Sequence, residues 1–275
     1  MGFFTSITSL EEVPQFEVNK VDIFDAQRRK LYNTYSLQRS DTHENLGIVR
    51  SNYRPIQMEE MIDVLDTASE EVGGIDHVAY SEYKSGRAVI IQSKLQEQLN
   101  VDGDIVDPYF YTVIDNSGGG ANKTIPSSLR IRCTNALHLI NCALSARGLH
   151  NATFDQKVHD MIDGIVHSVE SARNFENTMK SLKSQKFTMN QMVEFTERLI
   201  PIKEKDSKQR VTKREKLVGL FSNGMGNVGE SRWDALNAVT EYETHTGKKT
   251  SEKFFRELGS QHTMSKKALD ILAYD

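Results

Sequence analysis

The spacing of apolar residues changes period between residues 57 and 115, and that change bounds what the chain can fold into. From Gln57 to Val72, Met58, Met61, Ile62, Leu65 and Ala68 recur at three and four residues. This spacing puts them on one face of a helix, which Gly73-Gly74 ends. From Ile75 the period is two. Ile75–Tyr83 and Arg87–Leu95 alternate about a Ser85-Gly86 turn, the pattern of a hairpin. Val106–Asp115, with Tyr109, Phe110, Tyr111, Val113 and Ile114, is a third β-rich run. Ile125–Cys133 reads as a fourth strand, and a helix is expected from about Thr134 through Leu137, Ile140, Ala143 and Leu144 to Gly148. Beyond it the chain is helical. Phe154 to Leu182 carries one amphipathic pattern of nearly 30 residues, and shorter helices are expected over Asn190–Leu199, Ser207–Phe221, Arg232–Thr246, Glu252–Leu258 and Ser265–Ala273. Residues 1–56 show no sustained period and read as short strands and loops. The order helix, strands, helix, then many helices predicts an α+β fold, an antiparallel sheet flanked by helices with a mostly helical C-terminal half. Residues 1–150 are expected to form the α+β core and residues 151–275 a helical extension packed on it.

Composition excludes several classes. The chain has 275 residues, 26% charged and 38% hydrophobic, which is ordinary for a globular protein and rules out disorder of the whole chain. No apolar run reaches the roughly 18 residues of a membrane span. The opening stretch MGFFTSITSL lacks the basic flank and the length of a secretory signal. Two cysteines, Cys133 and Cys142, without a CxxC partner, suit a reduced compartment and buried thiols.

The net charge of −4 conceals an asymmetry. Residues 1–125 hold 11 Lys and Arg against 20 Asp and Glu, and residues 126–275 hold 23 against 18. A polyanion should therefore meet the second half. Its densest basic stretch, residues 203–216, contains Arg210, Lys213, Arg214 and Lys216. This stretch reads either as a solvated helix entrance after Pro201 or as a phosphate-contacting face. A second candidate lies around the loop Asn116–Lys123, NSGGGANK, whose glycines let a backbone approach closely. Lys123 lies in it, and Arg130 and Arg132 follow on one face of the predicted strand.

Other motifs fail on context. Gly224–Gly229 fits GxGxxG but follows a charged helical segment, where a dinucleotide site needs a strand. Gly118–Thr124, GGGANKT, lacks the glycine before lysine that a P-loop requires. His159 and His167 share a helix face without a third metal ligand. No nucleophile, carboxylate pair or metal cluster is apparent, so no enzyme activity, metal or cofactor is expected.

Four segments carry a family resemblance. They are Leu46-Gly47-Ile48-Val49 with Tyr53, Pro55 and Gln57; Val113–Gly119; Ile125-Pro126 with Leu129–Leu137; and Trp233–Glu241 with Tyr242 and His245, preceded by Gly226-Asn227. In this order they resemble the phage- and plasmid-encoded family catalogued as domain of unknown function 932. The family's loop is of the type Asn-Ser-His-Asp-Gly-Ser, whereas this chain has Asn116-Ser117-Gly118-Gly119-Gly120; Asn135-Ala136 stands where the family has Asn-Thr. The resemblance marks Gly118, Gly119, Asn135, Trp233, Asn237 and His245 as motif positions. It implies a mobile-element origin and a host-cytoplasm location.

The first functional expectation is a single-stranded DNA binding or annealing protein of a phage, acting in recombination or replication. The order of elements from Gln57 to Gly148 is similar to the core of single-strand annealing proteins, and Tyr109, Phe110 and Tyr111 are candidates for base stacking or for sheet core. The long helix over residues 154–183 either packs along the core of its own chain or offers a route to a homo-oligomer, and no membrane partner is expected. The alternative is a non-enzymatic protein that inhibits a host defence or replication factor through its acidic half. A third possibility is a site assembled from Asn135, Trp233, Asn237 and His245.

Overall fold

The structure, a computed structural model, describes residues 4–120, 122–130, 135–138, 147–148, 154–202, 207–246, 254 and 264–274. The fold is α+β with antiparallel sheets. The described residues fall into two compact units. The first lies within Met1–Gln96, Tyr109–Ile125 and Cys142–Glu170, and the second within Glu97–Pro108, Pro126–Asn141 and Ser171–Asp275.

In the first unit, β1 (Thr5–Ser6) pairs with β5 (Ile75–Tyr83), and the order continues through β6 (Ala88–Leu95), β8 (Asp104–Asp115) and β9 (Asn122–Arg130). β11 (Arg147–Gly148) pairs with the start of β9. Alternation decides the faces. Val89, Ile91 and Leu95 of β6 and Phe110 and Ile114 of β8 join one core with α1 (Met58–Val72) and with Ile162, Ile165 and Val169 of α2 (Phe154–Ser184). The period of α1 is the expected one, since Met58, Met61, Val64, Leu65 and Ala68 are buried. The β5–β6 turn falls where Ser85-Gly86 predicts it, with Lys84, Ser85 and Gly86 all at positive φ. A second sheet comprises β2 (Val18–Phe24), β3 (Lys30–Arg39) and β4 (Asn45–Val49). Gln57 links it to α1. Its backbone N–H donates to Glu60 as the helix starts, while its side-chain amide accepts from Val18 N at 2.8 Å and donates to Val18 O at 3.2 Å.

In the second unit, β7 (Leu99–Val101) pairs with the start of β8 around Asp102-Gly103, both at positive φ, as a two-residue Asp-Gly hairpin turn requires. β10 (Asn135–His138) pairs with the end of β9, Asn135 opposite Arg130. This corrects the expected helix from Thr134, because residues 135–138 form a strand. The apolar run there is too short for periodicity to separate strand from helix, and the edge of β9 supplies hydrogen-bond partners that local pattern cannot report. The expected helix over 252–258 lies outside the described residues apart from Phe254. The remaining described helices are α3 (Met189–Leu199), α4 (Ser207–Asn223), α5 (Arg232–His245) and α6 (Met264–Tyr274). Met179 and Leu182 of α2 join Phe195, Phe221, Trp233, Leu236 and Leu272 in the second core. Of the apolar stripe of α2, Ile162, Ile165, Val169, Met179 and Leu182 are thus used inside the chain. Among the described residues no helix is long and apolar enough to cross a membrane, and no cluster could hold a metal ion.

His77 of β5 lies between two serines, its Nδ1 2.8 Å from Ser93 Oγ and its Nε2 3.2 Å from Ser69 Oγ. Burial pushes its pKa from 6.5 down to about 4, against a smaller opposing pull from Asp76. The folded state therefore keeps His77 neutral while the unfolded state gains a proton. Its contribution is complete above pH 6.5 and is lost as the pH falls towards 4, by on the order of 2–3 kcal/mol. Urea unfolding at pH 7 and pH 4.5 should show this loss, and His77→Gln should remove that part of the difference.

Candidate nucleic-acid interface

The β2–β3 hairpin is basic within an acidic half: residues 18–39 contain five Lys and Arg against two Asp. Between the pairs Asp22↔Tyr35 and Phe24↔Lys30, β2 has one residue, Ile23, and β3 has four, Leu31 to Thr34. Such a bulge re-aims side chains. Tyr32 on it is 93% exposed and Phe24 opposite is 58% exposed. The bulge is pinned just after Tyr32. Asn33, at φ +52, accepts from Ser51 N at 2.9 Å. Thr34 Oγ1 donates to Tyr32 O at 3.0 Å and accepts from Arg50 Nη1 at 3.3 Å.

The turn is ordered by Asp25, whose carboxylate accepts from Gln27 N, Arg29 N and Arg29 Nε. The Arg29 backbone N–H is the largest cause of its lowered pKa. Lys30 pairs with Asp22 at 2.7 Å. These exposed ion pairs are individually weak, but they set the directions of the side chains. Arg28 is exposed and its guanidinium has no partner among the described residues. The tip therefore combines two accessible rings with three cations, the pairing that single-stranded nucleic acid uses.

Two of the basic residues read from the sequence bind backbone carbonyls. On α4, Arg210 donates to Pro201 O at 2.7 Å, and Arg214 donates to Ile200 O at 3.0 Å and to the Glu197 carbonyl and carboxylate, both at 3.4 Å. These two arginines satisfy carbonyls left open where α3 ends. Lys213 lies 5.2 Å from the Tyr242 ring centroid, and Lys216 is exposed. Lys123 is half-buried in β9 opposite Arg147. Arg130 is placed by its backbone in the second unit, its side chain outside the described set, and Arg132 lies outside the described residues. Of the aromatic trio, Phe110 and Tyr111 are buried, and only Tyr109 is half-exposed, with Lys94 Nζ 6.0 Å from its ring.

The glycine loop is held from several sides. Asn116 donates through Nδ2 to Gly86 O and through its backbone N–H to Arg87 O, both at 2.9 Å. Asp115 Oδ1 accepts from Ser117 N at 2.8 Å and Ser117 Oγ at 2.7 Å. Gly118 has φ +73, and a Cβ there would lie 2.3 Å from Val49 Cγ1; a Cβ on Gly47 would lie 1.9 Å from Ser117 O. Tyr53 packs beside Gly118, its hydroxyl pKa pushed up by burial and by the Asp115 carboxylate. Gly119 is exposed, and a Cβ there would meet only Ser117 Oγ at 3.4 Å.

In the second unit, Trp233 Nε1 donates to Asp104 Oδ2 at 3.0 Å. Lys183 Nζ donates to Val101 O at 2.8 Å and Asp102 O at 2.9 Å and lies 3.5 Å from the same carboxylate oxygen. Asn237 is buried one turn beyond Trp233, His245 is exposed at the end of α5, and β10, which carries Asn135, packs against α5. The turn over Gly224–Gly229 joins α4 to α5. Glu241 accepts from Met225 N at 3.1 Å, and Asn227 donates to Leu220 O at 3.0 Å. A cleft of about 670 Å³ beside this turn is lined by Lys183, Lys186, Phe187, Gly226, Gly229 and Asp234, among others.

A family model described as Domain of unknown function (DUF932) matches residues 45–269. The chain belongs to that family. No curated protein and no solved structure matches it. The structure brings the first two DUF932-like segments together, Gly47 against Ser117 and Val49 against Gly118. The match begins at Asn45, the first residue of β4, so the β2–β3 hairpin precedes it. Sequence reasoning passed over the hairpin, although Arg28-Arg29-Lys30 between Phe24 and Tyr32 is a local signal that averaging over 125 residues erased.

Gly47→Ala should lower stability by more than about 2 kcal/mol, whereas Gly119→Ala should stay within about 0.5 kcal/mol; thermal melts of the two variants make the comparison. Trp233→Phe removes one donor from a buried carboxylate and should cost about 1–3 kcal/mol in the same assay.

Proposed function

We propose that this chain binds single-stranded nucleic acid through the tip of the β2–β3 hairpin. The reading rests on Tyr32, a fully displayed ring on a pinned bulge, in the same hairpin as the exposed Phe24 and the cations Arg28, Arg29 and Lys30. An aromatic held outward without a protein partner costs solvation and gains nothing for folding. A ring of this kind beside guanidinium groups stacks on an unpaired base while the cations meet the flanking phosphates. Stacking within a duplex hides the base faces, so single strands are preferred. In this reading the protein serves recombination or replication of a mobile element such as a phage, in the cytoplasm of its host.

A second reading has its own support. Glu59, Asp63, Asp66 and Glu70 form an exposed acidic row along α1, and burial together with Asp63 raises the pKa of Asp66. Such a row suits a basic protein partner, and hence an inhibitor of a host factor.

Fluorescence anisotropy with a labelled single strand over a salt series separates the two. The first reading predicts affinity that falls with salt, a loss of about tenfold or more for Tyr32→Ala, and a shallower salt slope for Arg28→Ala. Lack of single-strand binding at low salt would reject it in favour of the second.

A further inference from the structure

We propose that two copies of this chain pair through the outer edge of β2, antiparallel and centred on Val21. This inference is independent of the nucleic-acid reading. Among the described residues β2 pairs only with β3, so its other edge is open. The phase of that edge follows from Gln57. Its amide takes both backbone groups of Val18, so the N–H and C=O of Val18 point away from β3. In an antiparallel ladder the alternate residues do the same. Lys20 and Asp22 therefore present their backbone groups outward, and Gln57 ends the open edge at Val18.

An open edge is a template for another strand, and its side chains select which one. Of the antiparallel registers of a second β2 that keep the hydrogen-bond phase, three pair Lys20 and Asp22 among themselves. One sets Lys20 against Lys20 and another sets Asp22 against Asp22, so like charges face each other although Lys20 Nζ also donates to Ser51 O and Tyr53 O, and Asp22 also pairs with Lys30, within each copy. The third sets Lys20 against the second copy's Asp22 twice, related by the two-fold axis, and meets no conflict at Val18 within its central pairs. It also brings the two Val21 side chains together, each 38% exposed in the single copy. On the same face, two strands over in register, Ile48 is 64% exposed. The charges on this edge thus reject the two neighbouring registers and favour one, and the partner they fit is the same strand. Copies joined this way present two hairpin tips, one at each end of the paired strands.

Geometry provides the test. Val21 and the second copy's Val21 form a non-hydrogen-bonded pair, with Cα atoms about 4.5 Å apart, within reach of a disulfide. Asn19 lies opposite the second copy's Ile23, so two Asn19 positions are about 13 Å apart. Full-length Val21→Cys and Asn19→Cys, each retaining the native Cys133 and Cys142, are oxidised mildly and run on non-reducing gels. The proposal predicts a covalent dimer at least tenfold more abundant for Val21→Cys, together with concentration-dependent dimer in sedimentation velocity of the unaltered chain. Equal cross-linking of the two variants, or an unaltered chain that sediments as a monomer at every concentration, would overturn it.

Discussion

At Gly47 the backbone of β4 lies so close to the carbonyl of Ser117 that no side chain fits between them. The presentation of the hairpin tip follows from this contact. The glycine loop is fixed to the β5–β6 turn through Asn116, and it fixes β4 through Gly47 and Val49. Arg50 and Ser51, the next residues after β4, hold Thr34 and Asn33, and so hold the bulge that displays Tyr32. The circuit closes through Arg39 of β3. It is buried over the ring of Phe16, 3.9 Å from the centroid, paired with Asp41 and Glu82, and bonded to Ser85 O beside Gly86. A buried guanidinium is tolerated only when its donors are met this fully. Asp41 in turn is held down to about 2, chiefly by its hydrogen bond from Arg39.

The second unit uses the same device with other residues. Asp104 is a buried carboxylate reached by the Trp233 indole and the Lys183 ammonium, and Lys183 also takes the carbonyls of Val101 and Asp102 at the Asp102-Gly103 turn. The turn, the end of α2 and the start of α5 are thereby tied to one oxygen. Glu241 and Asn227 secure the α4–α5 connection similarly. Trp233 and Asn227 of the DUF932 block thus have packing and hydrogen-bonding duties that explain their residue types without invoking a reaction.

Elements governed by local periodicity were legible in advance. The stripe of α1, the alternation of β5 and β6, the run of β8 and the length of α2 depend on spacing within one segment. Residues 135–138 were not, because four residues carry too little pattern and their strand state depends on β9. The candidate site was hidden for another reason. Arg210 and Arg214 look free in the sequence but bind carbonyls at the end of α3, whereas Arg28 in the turn and Tyr32 on the bulge have no local pattern that announces their exposure. Charge averaged over half the chain pointed to the C-terminal side, and that averaging concealed the basic β2–β3 hairpin.

The account comes down to which surface touches a nucleic-acid strand. Ultraviolet cross-linking of the full chain to a thymidine oligonucleotide, followed by tryptic peptide mapping, addresses it directly. The account predicts adducts in the peptides Val21–Arg28 and Leu31–Arg39, which carry Phe24 and Tyr32. Adducts confined to peptides of α4, or to those carrying Tyr109, would contradict it.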